Sequence, residues 1–151
     1  MQDSIRNFLK SIGDDPNREG LRKTPERFEA AFRELTTGYD QNLDEIVNGA
    51  LYELDSSDMV LALNIDFFTL CEHHLLPFFG NIHVAYLPGE HVIGLSKIPR
   101  IVDMFSKRLQ TQEKLGKQIG EALEKVLRPR GIGIVIDAEH LCMTMRGVRK
   151  P

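Results

Sequence analysis

Hydrophobic residues near the start of the chain recur with the spacing of an α-helix. The first such set predicts a short leading helix and comprises Ile5, Phe8, Leu9 and Ile12. A second helix is predicted at Thr24, because threonine followed by proline is a favourable helix start. The pattern is irregular over residues 39–57, apart from one helical turn predicted at residues 44–47. We therefore predict an N-terminal helical segment over residues 1–57.

Apolar and polar residues alternate in the middle of the chain, which predicts two β-strands. The strand predicted over residues 59–70 has one apolar face, made of Leu61, Leu63, Ile65 and Phe67. The apolar face of the next strand consists of Ile82, Val84 and Tyr86. Because few residues separate the two strands, we expect an antiparallel pair with Cys71 at the start of the connecting loop.

Two more helices and a third strand follow in the predicted order. The first of these helices is capped by Ser96, and the second begins near Thr111. The third strand starts at Gly131 and is predicted to continue toward Arg146. This order predicts an α+β fold, with two long helices on one face of an antiparallel sheet, in a single domain.

The end of the third strand has two faces of different character. One face carries His140, Cys142, Thr144 and Arg146, and the other carries the core candidates Leu141, Met143 and Met145. The isoleucines at positions 132, 134 and 136 have the opposite parity to these core candidates. We therefore expect either a bulge near Ala138 or a sheet that is covered on both faces.

The composition is that of a globular protein. Of 151 residues, 42% are hydrophobic and 27% are charged, and no apolar run is long enough to cross a bilayer. The N-terminus has no apolar signal core, so we expect a cytoplasmic protein that does not associate with membranes. A net charge of −3 gives no overall attraction to nucleic acid, so none is expected as a partner.

Each of the two cysteines has a histidine nearby. Cys71 and His74 stand three residues apart, so a tight loop can aim both at one point. His140 and Cys142 stand two apart, so on a strand both leave the same face. Two thiolates and one imidazole suit zinc, and three protein ligands leave a fourth position for water, as in catalytic sites. The alternatives are buried inert thiols, or a disulfide between the two cysteines after loss of the metal.

Other polar residues have both an ordinary and a functional interpretation. His73 is either a surface residue or a group beside the metal ligands that acts as an acid or base. Gln112 and Glu113 open a helix, where a carboxylate interacts favourably with the helix dipole in any case. A helix start that carries two cations is also a natural anion site, and this chain has one at Ser96, Lys97 and Arg100.

Several motifs of the chain resemble those of the GTP cyclohydrolase I family. They are Asp15-Pro16-Asn17-Arg18-Glu19-Gly20-Leu21, Thr24-Pro25-Glu26-Arg27, Cys71-Glu72-His73-His74-Leu75-Leu76-Pro77-Phe78, Gly94-Leu95-Ser96-Lys97-Ile98-Pro99-Arg100, Arg108-Leu109-Gln110-Thr111-Gln112-Glu113, His140-Leu141-Cys142 and Met145-Arg146-Gly147. The resemblance is broad, because these motifs run in order along most of the chain.

This resemblance implies a zinc-dependent enzyme that opens the imidazole ring of GTP. Zinc would be held by Cys71, His74 and Cys142. A zinc-activated water would attack C8, formate would leave, and the ribose would rearrange to give 7,8-dihydroneopterin triphosphate, the first step of folate and pterin biosynthesis. His73 and His140 would be catalytic, with one of them transferring protons.

The resemblance also assigns the contacts with the substrate. Ser96 would touch the ribose during its rearrangement and so take part in catalysis. Glu113 would anchor the guanine edge, with Gln112 beside it. The triphosphate would be bound by Lys97, Arg100, Arg146 and Arg27.

The implied architecture is the tunnelling fold (T-fold), in which residues 58–151 form the catalytic region. Subunits would join their sheets into a barrel and form a homodecamer with active sites shared between subunits. Similar proteins continue past Arg146-Gly147 with another strand, whereas this chain stops at Pro151, so we expect the C-terminal strand to be truncated. One alternative is a non-catalytic, zinc-containing nucleotide-binding homologue that truncation has inactivated. Another T-fold enzyme is a second alternative.

Overall fold

The structure is a computed structural model that describes residues 1–53 and 58–150. It divides into two compact units, Met1–Thr36 and Thr37–Pro151. The boundary predicted between residues 57 and 58 falls at the stretch 54–57, which lies outside the described residues. The division into an N-terminal segment 1–57 and a catalytic region 58–151 stays a prediction.

The N-terminal unit contains the two helices that the sequence predicts. Helix α1 spans Gln2–Ser11 and helix α2 spans Thr24–Leu35. Leu9 of the predicted apolar face of α1 is buried, whereas Phe8 and Ile12 are exposed. The helical spacing therefore predicted the element correctly, but not which residues of its face are buried.

The larger unit contains the β-sheet. Its elements are, in chain order, a 3-10 helix at Thr37–Asp40, α3 at Leu43–Val47, β1 at Leu51–Glu53, β2 at Val60–Cys71, β3 at Pro77–Leu87, β4 at His91–Ile93, α4 at Lys97–Ser106, β5 at Leu109–Gln110, α5 at Gln112–Leu127, β6 at Gly131–His140 and α6 at Leu141–Thr144. Four strands form one sheet in the order β5-β2-β3-β6, and β1 and β4 form a separate antiparallel pair. The helical turn predicted at residues 44–47 is confirmed as α3.

The predicted pairing of the central strands is confirmed. β2 and β3 are antiparallel, and β3 is also antiparallel to β6. The predicted apolar face of β3 is fully inside the core, with Ile82, Val84 and Tyr86 each at most 1% exposed. β3 is therefore an inner strand of the sheet, between β2 and β6.

The apolar face predicted for β2 is wrong in its first half. Leu61 and Leu63 are 54% and 56% exposed, whereas Ala62 is buried. A register irregularity against β3 follows Ala62, and Asn64 within it has a left-handed φ of 55°. One extra residue reverses which side chains point inward, so Ala62 before the bulge and Phe67 after it both face the core.

Helices α4 and α5 supply much of the apolar core against one side of the sheet. Their fully buried residues include Ile98, Ile101, Leu115, Ile119 and Leu123. Two glycines on α5, Gly116 and Gly120, face β6, and a Cβ atom at Gly116 would already lie 3.4 Å from Cδ1 of Ile136. Small residues thus let the helix lie close to the strand. The predicted α+β arrangement is confirmed.

The extension of the third strand toward Arg146 is wrong. β6 ends at His140, and a helical turn, α6, begins at the next residue. β6 pairs with β3 without a register shift from Gly131 to His140, so the bulge expected near Ala138 does not occur. The change from strand to helical turn explains why the apolar positions before and after Ala138 have opposite parity. Alternation along a strand no longer applies after His140, and the turn buries Cys142 while Leu141, Met143 and Met145 do not form one buried face.

Among the described residues, no helix combines the length and the apolar character that crossing a bilayer requires.

Candidate metal centre and active site

Two cysteines and a histidine converge at the end of β2. Cys71 is the last residue of β2, His74 lies in the loop that follows, and Cys142 is in α6. Their ligand atoms, which are the two sulfurs and a ring nitrogen of His74, all lie within 4.8 Å of one another. Both thiols are free and buried. The structure therefore brings together the three side chains that the sequence marked as zinc ligands.

The loop after Cys71 is a tight turn that aims His74 back at the strand. The amide of Leu75 donates to the carbonyl of Cys71 at 2.8 Å. The amide of Glu72 donates to the carbonyl of Gln110 at 2.9 Å, which ties the loop to β5. As a result, Nδ1 of His74 lies 3.8 Å from Sγ of Cys71.

The donor set suits a zinc ion. Burial raises the pKa of the Cys142 thiol, and the neighbouring Cys71 raises it further. That thiol therefore resists ionisation unless a cation lies beside it, and a bound metal ion supplies such a charge. Two sulfur donors and one imidazole are ordinary zinc ligands, and three donors leave a tetrahedral ion one position for another ligand.

The other ring nitrogen of His74 faces a cation. Nη1 of Arg146 lies 3.3 Å from Nε2 of His74 and donates to the carbonyl of Cys142 at 3.2 Å. The helical turn α6 makes this contact possible, because residues four apart on a helical turn are neighbours and Arg146 is four residues after Cys142. Arg146, predicted to bind phosphate, thus lies at the exposed side of the candidate metal centre.

His140 ends β6 and is held on two sides. Its ring stacks on Phe78, with centroids 4.4 Å apart and an interplanar angle of 5°, because the sheet register pairs these two residues. Nε2 of His140 lies 2.8 Å from Oε1 of Gln112. Nε2 of Gln112 in turn donates to the carbonyl of Ile136 at 3.0 Å. The imidazole therefore has a defined plane and a defined partner.

These groups line one cavity of about 510 Å³. Seven of its lining residues were singled out from the sequence: Cys71, His73, His74, Gln112, Glu113, His140 and Cys142. Four others were not predicted to belong to a site: Phe78, Gln110, Thr111 and Met143. Met143 was predicted as a core residue but is 43% exposed. Phe78, Gln110 and Thr111 lie within the motifs quoted above, but their spacing alone does not mark them as part of a site.

The residues predicted at the start of α4 are not part of this cavity. Among the described residues that line it, Ser96, Lys97 and Arg100 do not appear. Ser96 precedes α4 as predicted, but its side chain makes no capping hydrogen bond. Nζ of Lys97 donates to the carbonyl of Ile46 at 2.8 Å. Arg27 is in the first turn of α2, in the N-terminal unit, and its role stays a prediction.

Fold and cavity together define a class of protein. It has an α+β sheet with helices on one face, and a Cys-His-Cys cluster at the end of a central strand. Two more histidines and a glutamate line the same cavity. A cluster of metal-ligand and acid-base side chains in one concave site is typical of a metal-dependent enzyme.

The chain belongs to the GTP cyclohydrolase I family, whose model matches residues 1–151. It is 52% identical to a GTP cyclohydrolase 1 of Gloeobacter violaceus over 151 residues, which cover 100% of this chain and 71% of the relative. A GTP cyclohydrolase 1 of Leptospira biflexa is 55% identical over 99% of this chain and 82% of its own length. One from Synechococcus sp. (strain JA-3-3Ab) is 56% identical over 98% of this chain and 65% of its own length. The predicted family and fold class are confirmed.

Proposed function

We propose that the chain catalyses the reaction for which its relatives are named, the hydrolytic opening of the imidazole ring of GTP. The product would be 7,8-dihydroneopterin triphosphate, with release of formate. The observation that supports this proposal most strongly is the cavity itself, because one chain places the Cys-His-Cys cluster, His73, His140 and Glu113 around the same space.

We propose zinc as the cofactor, held by Cys71, His74 and Cys142. A zinc ion in this position supplies Lewis acidity, which makes water a competent nucleophile at neutral pH. The protein's own contribution is geometric, because the turn after β2 and the turn of α6 hold the three donors within 4.8 Å of one another. Reduced thiols are needed for this role, which supports a cytoplasmic location.

Glu113 is proposed to anchor the guanine edge. Its carboxylate can accept from both the ring N–H and the exocyclic amine, and it lies in the first turn of α5 on the wall of the cavity. His140 and His73 are proposed to move protons to and from the purine, since both line the same cavity.

The triphosphate is proposed to be bound by Arg146, Lys97, Arg100 and Arg27. Arg146 lies beside the metal-binding residues in the same chain. A guanidinium recognises phosphate oxygens through paired hydrogen bonds, so it suits this role better than a point charge does. Ser96, which precedes Lys97, is proposed to contact the ribose.

We propose that the active site is shared between subunits of a homo-oligomer, with a homodecamer as the expected form. The absence of the first turn of α4 from the described lining of the cavity supports this, because a second copy could bring those residues to it. A barrel built from joined sheets would also cover the apolar side chains that the sheet exposes. Examples are Leu61, Leu63, Phe68 and Val135.

The test is incubation of the zinc-loaded protein with GTP, followed by oxidation and detection of fluorescent pterin, with the product identified by mass. We expect pterin signal and an equal amount of formate. The variant Glu113→Ala should lose most of the signal while it keeps its zinc, because it removes only the guanine anchor. Protein that binds zinc and GTP but forms no product would instead support the non-catalytic homologue.

A further inference from the structure

The side-chain amide of Gln112 has only one orientation that satisfies both of its neighbours. The carbonyl oxygen of Ile136 can only accept a hydrogen bond, so the group 3.0 Å from it must be the NH₂ of Gln112. The opposite side of the amide, Oε1, then faces Nε2 of His140 at 2.8 Å. The orientation of this amide is therefore set by the backbone of β6.

This orientation determines which nitrogen of His140 carries a proton. Oε1 of Gln112 has lone pairs and no hydrogen, so a bond at 2.8 Å requires a hydrogen on Nε2 of His140. In a neutral imidazole the other nitrogen, Nδ1, then has the free lone pair. No hydrogen-bond partner for Nδ1 is found within residues 1–53 and 58–150.

The ring of His140 cannot easily turn away from this arrangement. Phe78 is 0% exposed and lies flat against the imidazole, at 4.4 Å and 5°. A rotation of the ring out of this plane would lose the stacking contact as well as the bond to Gln112. Backbone, amide and aromatic ring therefore act together on one imidazole.

We infer that Gln112 is a positioning residue that holds His140 in the Nε2–H tautomer, so that Nδ1 is the nitrogen that accepts or returns a proton in the cavity. Gln112 thus acts on the substrate through His140, and not chiefly by direct contact with guanine. The catalytic part of this inference rests on the proposed function. The tautomer itself is a property of the protein without substrate.

The tautomer can be read directly by solid-state NMR of the zinc-loaded protein with ¹⁵N-labelled histidine, at an alkaline pH where histidine side chains are neutral. The spectrum of His140→Asn identifies the signals of His140 by difference. We expect the protonated nitrogen of His140 to be Nε2. The variant Gln112→Met keeps the length of the side chain but cannot accept a strong hydrogen bond, so it should give a mixture of both tautomers.

Kinetics separate positioning from substrate binding. Gln112→Met should lower kcat for GTP ring opening by about 10- to 100-fold, as expected for the partner of a reacting histidine, and change KM by less than about threefold. The control is Lys117→Met on the exposed side of the same helix, where the side chain is 74% exposed. This control should change neither kcat nor the tautomer.

Four outcomes decide the inference. The inference is supported if the unmodified protein gives the Nε2–H signal and Gln112→Met gives a mixture of both tautomers together with a lowered kcat. An Nδ1–H tautomer in the unmodified protein overturns it, and so does a Gln112→Met variant with raised KM and unchanged kcat, which would make Gln112 a substrate contact. Unmodified protein with the Nε2–H signal but no ring opening would overturn the proposed function and still support the tautomer.

Discussion

The two ends of α4 lie in different surroundings. At the C-terminal end, the carbonyl of Phe105 accepts a hydrogen bond from Nε2 of Gln110 at 2.8 Å, and Gln110 lines the cavity. At the N-terminal end, Lys97 donates to the carbonyl of Ile46, in α3. A helix of ten residues is about 15 Å long, so the backbone of its first turn is well separated from the end that contacts Gln110.

This difference separates two kinds of predicted site residue. The cavity receives its side chains from segments that β3 and β5 hold in register, so one chain is enough to assemble them. Ser96, Lys97 and Arg100 are predicted from the anion-site pattern of a helix start and from the resemblance, and none of them is among the described residues that line the cavity. If both sets act on one GTP molecule, the proposed oligomer offers a way to join them, because a second copy can supply one of the two sets.

The largest expected effect is at the cavity, from Cys142→Ala. Loss of one sulfur should abolish zinc binding, and turnover should fall by at least about a thousandfold, since the metal ion contributes several kcal/mol to the transition state. The fold should remain recognisable by circular dichroism. Metal content and pterin formation are the measurements.

The control for this variant is Met145→Ala, which follows α6 and is 63% exposed. It should keep both zinc and turnover. A Cys142→Ala variant with full zinc content and full activity would show that Cys142 is not a zinc ligand. It would also show that the cavity is not more important for turnover than the first turn of α4.

The second effect is at α4, from Lys97→Ala. Loss of a charged contact with phosphate should raise KM for GTP by about 10- to 100-fold and leave the zinc content unchanged. Lys117→Ala, at an exposed site on α5, is the matched control. If thermal unfolding shows that loss of the bond to Ile46 destabilises the chain, Arg100→Ala tests the same surface.

Mixed assemblies sharpen this prediction. Subunits with Cys142→Ala and subunits with Lys97→Ala, unfolded together and refolded as mixed oligomers, should regain about a quarter of the activity at low GTP if each site takes its two halves from different copies. Native mass spectrometry would confirm that the two variants assemble together. An absence of any recovery in confirmed mixed oligomers would mean that the site is not shared in this way.

The sequence predicted the elements of the sheet well where apolar residues alternate without interruption. β3 is the clearest example, because the three residues of its predicted apolar face, Ile82, Val84 and Tyr86, are all fully buried. In β2, a single residue in left-handed conformation, Asn64, reverses the pattern for the first half of the strand. Asparagine tolerates that conformation better than most residues. An asparagine within an alternating run therefore indicates a possible bulge, which the alternation of apolar and polar residues does not reveal by itself.

The candidate site was predictable in its chemistry but not in its local backbone. The spacing of His140 and Cys142 suggested one strand face, whereas Cys142 reaches the cluster from a helical turn. Both conformations can place a thiol near Cys71, so the prediction of convergence did not depend on the prediction of a strand. The pair formed by Gln112 and His140 depends on the packing of α5 against β6, which no local pattern encodes.

The smallest expected effect is at Glu72 and Lys114, which each precede or follow a lining residue of the cavity in the sequence. Nζ of Lys114 in α5 donates a hydrogen bond to a carboxylate oxygen of Glu72 at 2.8 Å. This hydrogen bond holds the pKa of Glu72 below its ordinary value. The pair therefore stabilises the folded chain above the ordinary glutamate pKa, and this contribution is lost as the pH falls from there through the lowered value.

Glu72→Gln should consequently change turnover at neutral pH by less than about fivefold, since both partners are partly exposed and solvent weakens the pair. Thermal unfolding followed from pH 7 down to pH 3 should show a slightly shallower loss of stability for the variant than for the unmodified chain. Glu121→Gln, which removes a 3.7 Å pair with Lys117 on the same helix, is the matched control. If Glu72→Gln lowered turnover as much as Cys142→Ala, the loop after Cys71 would depend on this ion pair for its shape, and the backbone bonds to Leu75 and Gln110 would not be sufficient to place His74.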